Sequence, residues 1–328
     1  MRHWLRAGNP AGHAMVPAAA RPVDTSHPTR VIGHGDPRGC TATAVVAAVA
    51  KGGIIAFDCG PAPVTIAMKV TAKIRNSVPH TVLDGGGLVT LSGGGARRIL
   101  YMNTCDQAQG WTTSHCNDQS TPHLTVQNIT FAGGNATGQK QDGGGGGAIF
   151  VRGGRLTVIN ARFTGNRCDS TGADLGGAAI RVLDQYHGLP VYVARSTFEG
   201  GTCSNGGALS GISVSWTILN SLFTGNQAVG RGANPARGGT PGGGSGGAVY
   251  ADGNRFAIRL AGTVIRGSRA NEGGGAVFFV SNDNTGELTI DHSRLTGNRN
   301  AGFETAGLPG IYFHSTGRPT ITASTLSR

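Results

Sequence analysis

The sequence predicts an all-β chain folded as a single right-handed parallel β-helix, a solenoid with a short N-terminal capping α-helix. Three observations point there. A Gly-Gly-Ala strand recurs along the chain, a Leu-Thr-Val-type strand follows each copy, and glycine fills 57 of 328 positions without the three-residue period of collagen. Solenoids of this length form one domain because each repeat contacts only its neighbours.

The first motif reads Gly146-Gly147-Ala148-Ile149, Gly176-Gly177-Ala178-Ala179, Gly206-Gly207-Ala208-Leu209, Gly246-Gly247-Ala248-Val249 and Gly274-Gly275-Ala276-Val277, with a degenerate copy at Pro309-Gly310-Ile311-Tyr312. Successive full copies start 30, 30, 40 and 28 residues apart. The second motif runs from Leu124 to Phe131, Leu156 to Phe163, Trp216 to Phe223 and Leu288 to Leu295, with diverged copies from Val191 to Phe198 and Ile258 to Ile265. Its alternation of apolar and polar residues is the period of a strand with one buried face. Gly165-Asn166, Gly225-Asn226 and Gly297-Asn298 then supply turn residues that tolerate positive φ. One such unit cannot bury its own apolar face, so about six coils must stack.

The start of the solenoid is also legible. Residues 41–50 (TATAVVAAVA) read as an apolar helix with Thr41 as N-cap and Gly52-Gly53 as its stop, suited to plug an open solenoid end. Strands are expected over 54–58, 64–70, 81–83 and 88–91. Residues 1–30 read as a flexible lead-in, 31–328 as the β-helix domain, with the cap at about 41–51 and the main coils at about 120–328.

Six cysteines fall into sequence-local pairs, Cys40 with Cys59, Cys105 with Cys116 and Cys168 with Cys203, although six cysteines permit 15 connectivities. None has metal-ligand spacing. Disulfides imply an oxidising compartment and hence a secreted protein, while the first 24 residues lack the apolar centre of a signal peptide. No stretch is apolar enough for a transmembrane helix. The formal charge is +11, and of 28 basic residues only Lys51, Lys69, Lys73 and Lys140 are lysines. Arginine suits flat, bidentate contact with carboxylate or sulfate, which favours an acidic partner. Nucleic acid is not expected, because no basic run is interleaved with aromatics. The run Gly143 to Gly147 lacks the context of a phosphate loop.

The Gly-Gly-Ala strand paired with Phe-x-x-Asn (Phe163 to Asn166, Phe223 to Asn226) resembles the repeat of polymorphic outer-membrane proteins. The helix followed by coils resembles the pectate-lyase-like β-helix superfamily. The likeness covers residues 40 to 328 and implies the fold; for function it implies a choice among polysaccharide lyases, glycoside hydrolases, depolymerases and adhesins. It would allow a calcium ion, but the repeat region has few acids and no cluster with ligand spacing, so no metal or other cofactor is expected.

Aligning the coils maps the surface. Counted from the alanine of each Gly-Gly-Ala, the next residue should point inward and the one after it outward, giving Phe150, Ile180, Ser210, Tyr250, Phe278 and Tyr312. Tyr250, Phe278 and Tyr312 would form an exposed aromatic row, a platform for sugar rings or else a ladder that ties coils together. Two positions on come Arg152, Val182, Ile212, Asp252, Val280 and His314. The interval from Gly-Gly to the Phe-type anchor is 17 residues in two coils but 22 and 21 in two others, and the extra residues lie in 183–190 and 281–287. A third insertion, 227–245, carries Arg231 and Arg237. Loops on a rigid scaffold commonly carry function.

The candidate catalytic residues are therefore Arg181, Asp184, Tyr186, His187, Asp252, Asp283 and His314, with Arg152, Tyr250, Phe278, Asn282 and Tyr312 as substrate-binding candidates. Tyr, His and Arg suit proton transfer and carboxylate neutralisation in β-elimination of uronate chains; paired aspartates suit glycoside hydrolysis. Turn formation accounts equally for the Asp and Asn residues. The leading expectation is an extracellular lyase or hydrolase acting on an acidic polysaccharide. Alternatives are a non-catalytic adhesion or carbohydrate-binding module, and a small-molecule isomerase or cyclase, which would need a closed pocket. Oligomeric state is not legible in the sequence.

Overall fold

The computed structural model describes residues 6–139 and 144–328; Lys140 and Gly143 lie outside the described residues. The chain forms a parallel β-helix with four parallel sheets of ten, nine, eight and four strands, here called A, B, C and D. Each coil contributes a strand to C, then A, then B. The first Gly-Gly-Ala coil does so with Ile149–Arg152, Arg155–Ile159 and Arg162–Thr164. The six expected Gly-Gly-Ala strands all lie in C, joined by Leu100–Asn103 and Ala72–Lys73. The cap is helix α1, Ala42–Lys51, with the Thr41 hydroxyl accepting from the Ala44 amide and Gly52 ending the helix at φ +64. The early strands appear at Gly53–Phe57, Val64–Ala67, His80–Asp84 and Val89–Ser92. The three disulfides join the sequence-local pairs.

The repeat motifs have separate physical jobs. The first glycine sits at positive φ in four of the five full copies: +66 at Gly146, +54 at Gly206, +71 at Gly246 and +62 at Gly274. The second glycine permits close approach, since a Cβ at Gly247 would lie 2.0 Å from the Gly275 carbonyl oxygen. The phenylalanines of Phe-x-x-Asn, Phe163 and Phe223, stack inside the core with the equivalent Phe131 and Phe198, the column Phe131, Phe163, Phe198 and Phe223 having centroid spacings of 5.1, 4.7 and 4.7 Å. The asparagines form a buried ladder between coils. Asn226 Nδ2 donates to the Phe198 carbonyl at 3.0 Å while its Oδ1 accepts from the Gly201 amide at 3.0 Å, and Asn166 and Asn298 repeat the arrangement. These bonds satisfy backbone groups that a turn would otherwise leave unpaired inside the protein.

The second coil departs from the sequence alignment. Ile149 pairs with Ile180, not Ala179, and Phe150 pairs with Arg181. Its positive-φ glycine is Gly177 (+76), so the structural motif is Gly177-Ala178-Ala179-Ile180. Ile180 therefore points into the core and Arg181 points out, which corrects the outward assignment of Ile180. It also puts Leu183, not Val182, beside Arg152.

Residues 6–30, expected to be a flexible lead-in, are tied along the solenoid. Ala14 and the Asn220 side chain exchange two hydrogen bonds of 2.8 Å, and Val23 and the Gln127 side chain exchange bonds of 2.9 and 3.0 Å. The Gly8 amide donates to Thr197 Oγ1 and Thr25 Oγ1 to Asp84 Oδ2. This strap crosses a column of sheet A where Ile159, Ala194, Leu219 and Ala261 alternate out of the core register yet are at most 2% exposed. Burial of that apolar column is the physical reason for the strap's position.

Candidate functional site

The C-terminal ends of the sheet C strands bring the predicted residues to one side of the solenoid, where eight of them divide into two clusters and four, Phe278, Asp283, Tyr312 and His314, lie outside the polar groups of both.

The first cluster is buried under the loops that follow sheet B. Arg181, Ser210 and Tyr250 occupy one outward column on successive strands, held by the pairing of Arg181 with Ser210 and Ser210 with Tyr250. Arg181 Nη1 donates to Ser210 Oγ at 2.6 Å, while its Nε has no partner among the described residues. The Tyr250 hydroxyl lies 3.0 Å from Asp252 Oδ2 and 3.2 Å from Asp174 Oδ1. Asn234 Nδ2 donates to Tyr250, to Asp252 at 2.9 Å and to Asp174, and Asn282 Nδ2 donates to Asp252 Oδ1 at 3.2 Å. Burial pulls the Arg181 guanidinium down to about 10, opposed by Tyr250, Asp174 and Asp252. Burial likewise raises the Tyr250 phenol and the Asp252 carboxyl, and the Tyr250 hydrogen bond partly offsets the rise at Asp252. The covering loop is itself anchored by a two-bond contact of Arg237 with Glu272, at 2.9 and 2.8 Å.

The second cluster is at the surface. The 183–190 insertion folds into a short turn, Tyr186–Gly188, against the loop closed by the Cys105–Cys116 disulfide. His187 Nε2 lies 3.6 Å from Asp118 Oδ2, and Asp118 Oδ1 accepts the His187 amide at 2.5 Å. The imidazole stacks on the Tyr186 ring with centroids 3.9 Å apart, and its Nδ1 has no hydrogen-bond partner among the described residues. Arg152 donates from Nε to Asn117 Oδ1 at 2.8 Å. Burial raises the carboxyl of half-buried Asp184, against the pull of Arg152. His187 and Asp184 both adopt positive φ, +51 and +55, an unusual conformation for these residues that a packed turn imposes.

The remaining candidates add no polar group to either cluster. Tyr250, Phe278 and Tyr312 do stack, at 5.0 and 5.2 Å, but Tyr250 is 0% and Phe278 2% exposed. The expected exposed aromatic row is therefore an inter-coil ladder, covered by Asn234 on one side and by Phe303, which packs edge-on against Phe278 and Tyr312. Asp283 is exposed and accepts from Ser281 and Thr285, fixing its own turn. His314 is exposed on the strand after Val280.

Four participants were missed in the sequence: Asn117 and Asp118 immediately after the Cys105–Cys116 disulfide, and Asp174 and Asn234 in the covering loops. Their arrival depends on loop paths that no repeat encodes; the disulfide flanking Asn117 and Asp118 was the one available signal. No helix among the described residues is long and apolar enough to cross a membrane. Compared with known proteins, the chain matches no family model, no curated protein and no solved structure.

Proposed function

We propose that the protein is an extracellular enzyme that cleaves an acidic polysaccharide by β-elimination at the surface cluster of Arg152, Asp184, Tyr186 and His187. The observation that carries this reading is the His187–Asp118 contact. Asp118 anchors the His187 backbone amide and sets its carboxylate 3.6 Å from Nε2 of an exposed imidazole whose Nδ1 is unengaged among the described residues, a carboxylate–histidine arrangement suited to a general base. In this reading His187 Nδ1 takes the proton α to the uronate carboxylate, and Arg152 offsets the negative charge that develops there. Asp184, whose carboxyl is held above its ordinary range, gives a proton to the departing glycosidic oxygen. The bond from that oxygen to the sugar's C4 breaks, leaving a C4–C5 double bond. Three disulfides fit an oxidising, extracellular setting.

The test is incubation with a panel of uronate polysaccharides, following the ultraviolet absorbance of unsaturated products and the appearance of reducing ends. Turnover that gives both signals and falls roughly 10²- to 10⁴-fold in His187→Ala supports the reading. Reducing ends without unsaturation would replace elimination by hydrolysis. A second reading, a non-catalytic carbohydrate-binding module, is favoured by the loops that bury Arg181 and Tyr250; silence in both assays with retained glycan binding would select it.

A further inference from the structure

The corner between sheets B and D carries a feature that the surface cluster does not use. Arg269 and Arg299 are direct partners in sheet D, and Arg266 and Arg294 lie on the adjoining strands of B. All four are exposed, on two successive coils, and none makes an ion pair or side-chain hydrogen bond among the described residues. Four other arginines are paired with acids, Arg162 with Glu199, Arg237 with Glu272, Arg259 with Asp291 and Arg328 with Glu304; what sets Arg266, Arg269, Arg294 and Arg299 apart is their adjacency on two successive coils. Like charges in direct register destabilise a sheet. The preceding coil shows that the fold does not need them, because Gln227 pairs with Arg269 and Thr224 with Arg266. Four unpaired guanidinium groups on a rigid lattice, with strands about 4.8 Å apart, form a track for regularly spaced anions.

We propose that this corner binds an acidic polysaccharide along the solenoid axis, as a docking track separate from the cleavage cluster. The proposal rests on the acidic-glycan reading for its ligand class, and on the arginine register for its location. The outward positions of sheet B around the track are Leu222, Val264, Thr224, Thr296, Thr325 and Ser327, of which the last four carry hydroxyls that can bond to sugar hydroxyls. No aromatic residue stands among these outward positions to stack on bases, which favours a glycan over single-stranded nucleic acid.

The experiment measures retention of the full chain on immobilised polygalacturonate and dextran sulfate, with neutral dextran and single-stranded DNA as comparators. The variant Arg266→Thr/Arg269→Gln/Arg294→Thr/Arg299→Gln borrows residues from neighbouring coils, and the pair Arg269→Gln/Arg299→Gln serves as a milder check on folding. Expected is salt-sensitive binding to an acidic glycan that weakens at least tenfold in the quadruple variant and in part in the pair, with thermal midpoints equal to or above that of the parent. Cleavage of short oligosaccharides that reach only the His187 cluster should be unchanged. Undiminished glycan binding in both variants overturns the track, as does preferential binding to DNA. Loss of binding in a protein with no turnover would keep the track and reject the lyase reading.

Discussion

Two arginines on neighbouring strands of sheet C meet opposite environments. Arg152 and Arg181 are two register positions apart, since Phe150 pairs with Arg181 and Arg152 with Leu183. Arg181 is buried beneath covering loops with Ser210, Tyr250 and Asp252, whereas Arg152 emerges at the rim beside Asn117, Asp184 and the His187 turn. The residue types in the two clusters are nearly the same. What differs is water. In the buried cluster each charge depends on its neighbours, so its groups act as a structural network. At the rim the groups keep solvent and substrate access, which proton transfer requires.

The sharpest way to break this comparison is to remove each cluster's centre. Arg181→Ala is expected to cost about 2 to 5 kcal/mol of folding stability, because it empties a fully buried site in the column and removes the donor to Ser210 Oγ. Denaturant unfolding measures it, and a cost below about 1 kcal/mol would show that the loops reopen and hydrate the site. His123 is an intermediate case on the outer face of sheet A, bonded to Thr157 Oγ1 at 3.0 Å and lowered to about 4 by burial, with Arg155 and His80 adding to the shift. The unfolded chain binds this proton from pH 6.5 downward and the native chain does so only near 4, so stability falls as pH drops through that window and levels off below it. The loss approaches about 3 kcal/mol, and His123→Gln should flatten that part of the unfolding profile. The smallest effect on stability is expected for His187→Ala, within about 0.5 kcal/mol despite its effect on turnover. A large stability loss there would place the rim cluster in the structural class with Arg181.

The N-terminal strap shows how much was legible and why the rest was not. Val158-Ile159, Val193-Ala194, Ile218-Leu219 and Leu260-Ala261 break the one-face alternation by making both faces apolar at the strand end. That is a sequence signal for an outer cover, but it does not say which segment supplies it. In the same way, Gly176-Gly177-Ala178-Ala179 offers two alignments one residue apart. A one-residue slip reverses every side chain, and only the pairing of Ile149 with Ile180 chose between them. The choice moved Arg181 from an edge position to the centre of a buried network.

The sequence by itself determined the solenoid, its cap, its inward phenylalanine column and the strands that hold the candidate residues. Those features follow from local periodicity, from glycine's freedom at positive φ and from helix capping, all of which act within one coil or between neighbours. The tertiary structure decided which outward residues meet water. It buried the Tyr250–Phe278 row, seated the strap on Ala194 and Leu219, and brought Asp118 to His187. Those contacts join segments tens of residues apart through irregular loops, whose paths are set by the surfaces available to cover and not by any repeating pattern.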